Sequence, residues 1–255
     1  MTTDMKCILG LVLAAACFTG CGGSGGGVNS TPFNPNPSAN GSWTGGIAFH
    51  NSLFPTSVDM FIIQTGTSIS SRFVMFNGLG PVCSPIGSMT GEVNGTNVTM
   101  TIVLSSTNTT TVTATLNSDT INGTFKTTGS CDPSDEGDIS LEFIPSITSS
   151  KWSGSITPTT GPPIPLTANI NEDQAGILTG SVSLPGAAAP CDSPINVNGG
   201  IVGRYMYLMG SQALLNAYGQ VDSTGKNISN EPNDTATGTC VPPPGSYAAF
   251  SMTRP

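Results

Sequence analysis

Few side chains in this 255-residue chain have the chemistry to act on another molecule. The single histidine, His50, lies in a polar stretch, FHNS, with no second histidine to support it. Hydrolysis by an activated nucleophile needs a base held beside that nucleophile. His50 is therefore read as a surface residue, and a hydrolytic site built on it is the alternative. The densest group of carboxylates is CDPSDEGD, residues 131–138, which offers Asp132, Asp135, Glu136 and Asp138. Calcium takes hard oxygen ligands of this kind, but the spacing is not that of an EF-hand loop. A solvated acidic loop is the reading adopted, with a calcium site as the alternative. The composition points to no catalytic set and no cofactor.

Cysteine is the other reactive type. Of seven, Cys7, Cys17 and Cys21 crowd the first 21 residues, leaving Cys83, Cys131, Cys191 and Cys240. These four form two pairs with separations of 48 and 49 residues. Zinc would require more ligands at short spacing. In an exported chain such pairs become disulfides, so the expected bonds are Cys83–Cys131 and Cys191–Cys240.

Export is written into the N-terminus. After Lys6 the run CILGLVLAAACF carries no charge. It is too short to cross a bilayer as a helix but has the length of a signal-peptide apolar region. The run ends in FTGC, with Gly20 before Cys21. Here the chain resembles bacterial lipoproteins, whose lipobox ends in a small residue followed by the cysteine that is lipidated. Phe18 stands where that motif usually has leucine, and a start at Met5 in place of Met1 gives the more ordinary leader. The resemblance implies a signal peptide over residues 1–20, a lipid on Cys21, and a protein exported and anchored in the bacterial cell envelope, at the outer membrane or surface rather than the inner membrane. Residues 21–40, rich in Gly, Ser, Pro and Asn, follow as a tether, with a typical span of about 25 Å.

Charge narrows the partners. Seven basic residues against 15 acidic ones give a net charge of −8. This balance argues against nucleic acid and anionic lipid surfaces as partners, since both are bound through basic patches.

The elements that would hold any site are read from an internal repeat. GSWTGGI at 41–47 returns as SKWSGSI at 150–156, placing Trp43 and Trp152 109 positions apart. Val58, Met60 and Ile62 answer to Leu166, Ala168 and Ile170, while Gly91, Val93, Gly95, Val98 and Met100 answer to Gly199, Ile201, Gly203, Met206 and Leu208, all at an offset of 108. A constant offset along this length is a duplication. It predicts two domains, residues 41–147 and 150–255.

Within a repeat, apolar and polar residues alternate between Gly, Pro, Asn and Asp breaks. In the first, strands are predicted at 42–49, 57–64, 68–76, 87–93, 97–104, 111–117, 121–127 and 138–144. The fold class is all-β, with two tandem antiparallel meanders of about eight strands, each a barrel or a sandwich. If strands alternate in direction, the loops after strands three and seven share one end. Those loops carry the paired cysteines, and each bond would contribute about 4 kcal/mol by loop-closure entropy.

A Gly-x-Trp at the start of an eight-stranded meander resembles the calycin folds, the lipocalins and avidins. The first repeat has GSW and the second SKW. The resemblance implies a barrel with an arginine from the last strand over the tryptophan, a place that Arg254 suits in the second repeat and that LEFIP leaves without an arginine in the first. Both tryptophans are read as core residues closing the base of the barrel.

The function expected is that of a non-enzymatic envelope lipoprotein binding a small apolar molecule, a glycan or another envelope protein, and the alternative is a structural spacer. The two differ in what sits inside the barrel: a binder needs an unfilled, partly polar lumen, whereas a spacer fills it with side chains.

Overall fold

The computed structural model describes residues 37–50, 56–77, 86–129, 136–229, 235–244 and 247–255. Cys21, Cys83, Cys131, Asp132 and Asp135 lie outside the described residues.

The chain folds as two closed antiparallel barrels in tandem. In the first, β1 (Gly41–Phe49), β2 (Thr56–Thr65), β3 (Ser68–Asn77), β4 (Ile86–Asn94), β5 (Asn97–Ser105), β6 (Asn108–Leu116), β7 (Thr120–Thr128) and β8 (Glu136–Ile144) each pair with their chain neighbours. Pairing of β1 with β8 closes the ring. The alternation is strict where threonine and valine take turns. Along β6, Thr110, Val112, Ala114 and Leu116 are buried, while Thr111, Thr113 and Thr115 face water. β-Branched residues suit such a half-buried pleated surface. All eight predicted strands are present, and the choice between barrel and sandwich falls to the barrel.

The second barrel contains β9 (Ser149–Thr157), β10 (Ile164–Glu172), β11 (Ile177–Ser183), β12 (Ile195–Val202), β13 (Tyr205–Gly210), β14 (Asn216–Val221), β15 (Asn227–Ser229), β16 (Ala236–Thr237) and β17 (Ala249–Thr253). Its ring runs from β9 to β15, skips β16, and closes through β17 onto β9. β16 hangs on β14 as a two-residue addition. Among the described residues the seventh strand has three residues where β7 has nine. Among the described residues there is no α-helix, only a 3-10 turn at Ser211–Ala213.

The duplication survives in the register. Trp43 lies opposite Met60 as Trp152 lies opposite Ala168, and Gly91 opposite Met100 as Gly199 opposite Leu208. A Cβ on Gly91 would strike the Thr99 carbonyl oxygen, and one on Gly199 that of Tyr207. These matched glycines are therefore required by close strand approach.

Each barrel is also closed at its N-terminal end by the same latch. Trp43 Nε1 donates to the Ala39 carbonyl at 2.8 Å, and Trp152 Nε1 to that of Ile147 at 3.0 Å. The Ala39 N–H donates to Gln64 Oε1 at 2.7 Å, and the Ile147 N–H to Glu172 Oε2 at 2.8 Å. Both tryptophans are fully buried, so the indole N–H finds the partner it needs inside the protein. The Arg254 guanidinium lies 5.4 Å from the Trp152 ring centre and donates to the carbonyls of Thr148 and Ser146. In the first barrel Phe143 takes that position, edge-on to Trp43 at 5.4 Å.

Candidate functional site

Cys191 and Cys240 form a disulfide, with Cα atoms 5.7 Å apart. Cys191 follows β11 and Cys240 precedes β17. His50 sits at the end of β1, its Nε2 3.8 Å from Asp138 Oδ2, with both side chains more than half exposed. Water and salt screen such a pair, and it contributes little. Glu136 and Asp138, the described members of the acidic cluster, stand two apart on β8 and face solvent. Among the described residues no three His, Cys, Asp or Glu side chains converge as metal ligands.

Among the described residues, buried side chains occupy the barrel interiors. Met60, Met89, Met100, Ile102, Leu116 and Leu141 help fill the first. In the second, the void bounded by Leu166, Leu208, Phe250 and Met252 is about 10 Å³, the room of a single water molecule. A ligand chamber of the calycin kind would need several hundred cubic ångströms.

A largely apolar concave site lies between the barrels. β12 packs against β1, β2 and β3. On β2, Val58, Met60 and Ile62 fill the first barrel, while Asp59 and Phe61 face the second and are buried there. The contact is keyed by two glycines with positive φ at turn tips of the second barrel. Phe61 seats against Gly176 (φ +75°), where a Cβ would come within 2.6 Å of the ring. Asp59 seats against Gly203 (φ +56°), whose N–H donates to the Met60 carbonyl at 3.2 Å. Asp59 Oδ1 accepts the Arg204 N–H at 3.2 Å, and its Oδ2 is enclosed without a hydrogen-bond partner. Burial pushes the Asp59 carboxyl above its ordinary 3.8, and Thr44, the Arg204 N–H and the Arg204 charge offset this only in part.

Beside this contact a cleft of about 290 Å³ opens, lined by Phe61, Ile63, Arg72, Phe73, Ile177 and Tyr207 among others. That is near the lower end of ligand-site volumes. A β-bulge shapes its near wall. Met60 pairs with Val74 and Ile63 with Ser70, so β3 holds one more residue than β2 between the two pairings. The extra residue turns both Arg72 and Phe73 outward. Ser71 Oγ spans the bulge by donating to the Phe73 carbonyl at 2.8 Å. Bulges of this kind re-aim side chains. Phe73, Ile177 and Tyr207 remain 55%, 50% and 41% exposed, which is unusual for large apolar residues grouped around one cavity. The polar side chains on the lining are Ser71, Arg72 and Tyr207. Such a lining suits binding, with a cation and a phenol to orient what the rings hold.

Of the cleft residues the sequence singles out only Gly199 and Ile201, and those as scaffold positions of the repeat. The available signal was the unbroken apolar run MFII at 60–63 next to Asp59. It marks a strand covered on both faces rather than one.

No known protein family matches the chain, and no curated protein matches it. A solved structure of a protein of unknown function from the DUF3598 family of Nostoc punctiforme is similar to it at 12% identity, covering 84% of this chain and 94% of that one, with a TM-score of 0.26.

Proposed function

We propose that the chain is an exported, lipid-anchored, non-enzymatic binding protein of the bacterial cell envelope that takes its ligand or partner in the cleft between the barrels. The observation that carries this reading is the preformed apolar cleft, with Phe73, Ile177 and Tyr207 left exposed around it and Arg72 turned outward by the bulge. The lipid on Cys21 and the tether after it would hold the barrels clear of a membrane surface. With the lumens filled, the calycin-like mode of binding inside a barrel gives way to binding between barrels. The spacer reading is favoured by the same filled lumens.

Native mass spectrometry of the mature protein, taken gently from its own envelope fraction, separates the two. A co-purifying small molecule, glycan or protein that is lost in Phe73→Ala supports the cleft, and a bare monomer supports the spacer. Detergent partitioning tests the anchor. Wild type should enter the detergent phase and Cys21→Ala the aqueous phase, and equal partitioning would remove the lipoprotein reading.

A further inference from the structure

We infer, on the basis of the binding reading above, that the outer face of β11–β14 is a platform for a neutral glycan, which lies across Tyr218 and Tyr207 and runs into the inter-barrel cleft. Four residues form a straight row across these strands. Ile177 pairs with Gly200, Gly200 with Tyr207, and Tyr207 with Tyr218. Glycine in the second place lets an aromatic ring lie flat. A Cβ on Gly200 would be 3.0 Å from Tyr207 Cε1 and 3.2 Å from its hydroxyl oxygen, so the ring rests over that glycine. Its outer face stays open to solvent, and Tyr218 beside it is 50% exposed. The row spans three strand spacings, about 14 Å, room for a short oligosaccharide.

The rest of the face decides the ligand class. The strands ILTGSVS, INVNGGIV, YMYLMG and NAYGQV contain no acidic or basic residue. The cations at the margins of the face are Arg204, 5.6 Å from the Tyr205 ring centre, and Arg72 at the cleft end, so along the strands themselves an ionic ligand or a charged protein surface finds no complement. Amides flank the rings instead, with Asn198 and Asn216 both opposite Met209, and Gln220 opposite Tyr205. In lipid or against a purely apolar molecule those amides would lose their hydrogen bonds to water without replacement. A pyranose offers what the face lacks, an apolar C–H surface to stack on an electron-rich ring and hydroxyls around its rim for the amides. Addition of a peptide strand is excluded, because β13 and β14 pair and the barrel leaves no edge on this face. Arg72, at the cleft end of the row, has five N–H donors for sugar hydroxyls.

The test is native gel electrophoresis of the full mature protein through gels containing β-1,3-glucan, hydroxyethylcellulose, galactomannan or, as the anionic control, alginate. The expected result is retardation by a neutral polysaccharide that persists in high salt. It should weaken at least tenfold in Tyr207→Ala and in Tyr218→Ala, and be retained in Tyr207→Phe. Thermal melting of each variant confirms that it is folded before mobilities are compared, and Tyr218→Ala, whose ring is 50% exposed, carries the test where Tyr207→Ala does not fold. No retardation by any of the three neutral gels, retardation indifferent to both alanine variants, or retardation in alginate alone that salt abolishes would each overturn the inference. If the gels fail while native mass spectrometry finds a small apolar molecule or a protein, the glycan assignment falls and the binding reading stands. If both are blank, both fall.

Discussion

Asp59 Oδ1 accepts a hydrogen bond at 3.2 Å from the backbone N–H of Arg204, a residue 145 positions later in the chain. The bond crosses from one barrel to the other and anchors a buried carboxyl whose second oxygen has no partner. Because burial raises the native pKa of Asp59 above its ordinary 3.8, the folded state holds the proton more tightly than the unfolded chain does. The contribution of this group to stability is therefore complete below the unfolded value and is lost as the pH rises through the native value. Asp59→Asn should remove this decline. Chemical denaturation of wild type and variant from pH 3 to pH 7 is the measurement, and the difference between them should grow in favour of the asparagine variant as the pH rises. A difference that does not change with pH would mean that Asp59 has the same pKa in both states.

The paired disulfides are open to a direct test. Cys191–Cys240 joins the loops after the third and seventh strands of its barrel. In the first barrel Cys83 and Cys131 fall after β3 and β7, and in a closed meander these connections share one end. Non-reducing peptide mapping of protein purified without reductant should recover Cys83–Cys131 as well as Cys191–Cys240. Replacing Cys191 and Cys240 together by alanine should lower stability by about 4 kcal/mol, the loop-closure entropy for a separation of this size. A peptide linking the two repeats would contradict the pairing.

The strands of the first repeat could be read from the sequence because Thr, Val and Ile alternate over most of them, and the duplication because its offset fixes which positions must match. The cleft could not be read for two physical reasons. Strict alternation from Ile69 puts Phe73 in the core and Val74 outside, whereas the bulge in β3 reverses both. A bulge is decided by twist and closure of the whole barrel, which local pattern does not carry. Gly203 matches Gly95 in the repeat. Gly95 faces open space, while Gly203 receives Asp59. Docking between repeats is the feature that a duplication cannot announce, since it must differ between the copies. The latch was missed for a simpler reason, that its acceptor is Gln64 in one copy and Glu172 in the other.

The matched glycines should be equally intolerant. A Cβ at Gly91 or Gly199 would run into a carbonyl oxygen of the neighbouring strand rather than into a flexible side chain, and backbone cannot yield cheaply. Gly91→Ala and Gly199→Ala should each destabilise by about 1–3 kcal/mol or more. Gly95→Ala, with nothing within 4 Å, should suffer only the strain of its φ of +60°. Thermal unfolding of the three variants checks the ranking, and a Gly199→Ala protein as stable as wild type would show that the strands can separate to admit a methyl group.

The latch makes the last prediction, one in which each barrel serves as the control for the other. Glu172 Oε2 takes the N–H of the fully buried Ile147 at 2.8 Å, and burial raises its carboxyl above the ordinary 4.5 against that hydrogen bond, Ser146 and the Arg254 charge. Gln64 performs the same service for Ala39 without any charge. Glu172→Gln should therefore keep the acceptor and remove the desolvated charge, leaving the protein at least as stable as wild type at neutral pH. Glu172→Ala should instead leave a buried N–H unpaired, at a cost of about 1–3 kcal/mol. The reciprocal change, Gln64→Glu, puts a carboxylate where the first barrel has Phe143 in place of an arginine. It should destabilise at neutral pH and recover as the pH is lowered. Denaturation of the three variants at pH 7 and pH 4 gives the comparison, and a Gln64→Glu protein unaffected at both would show that the arginine over Trp152 has no part in making the carboxylate tolerable.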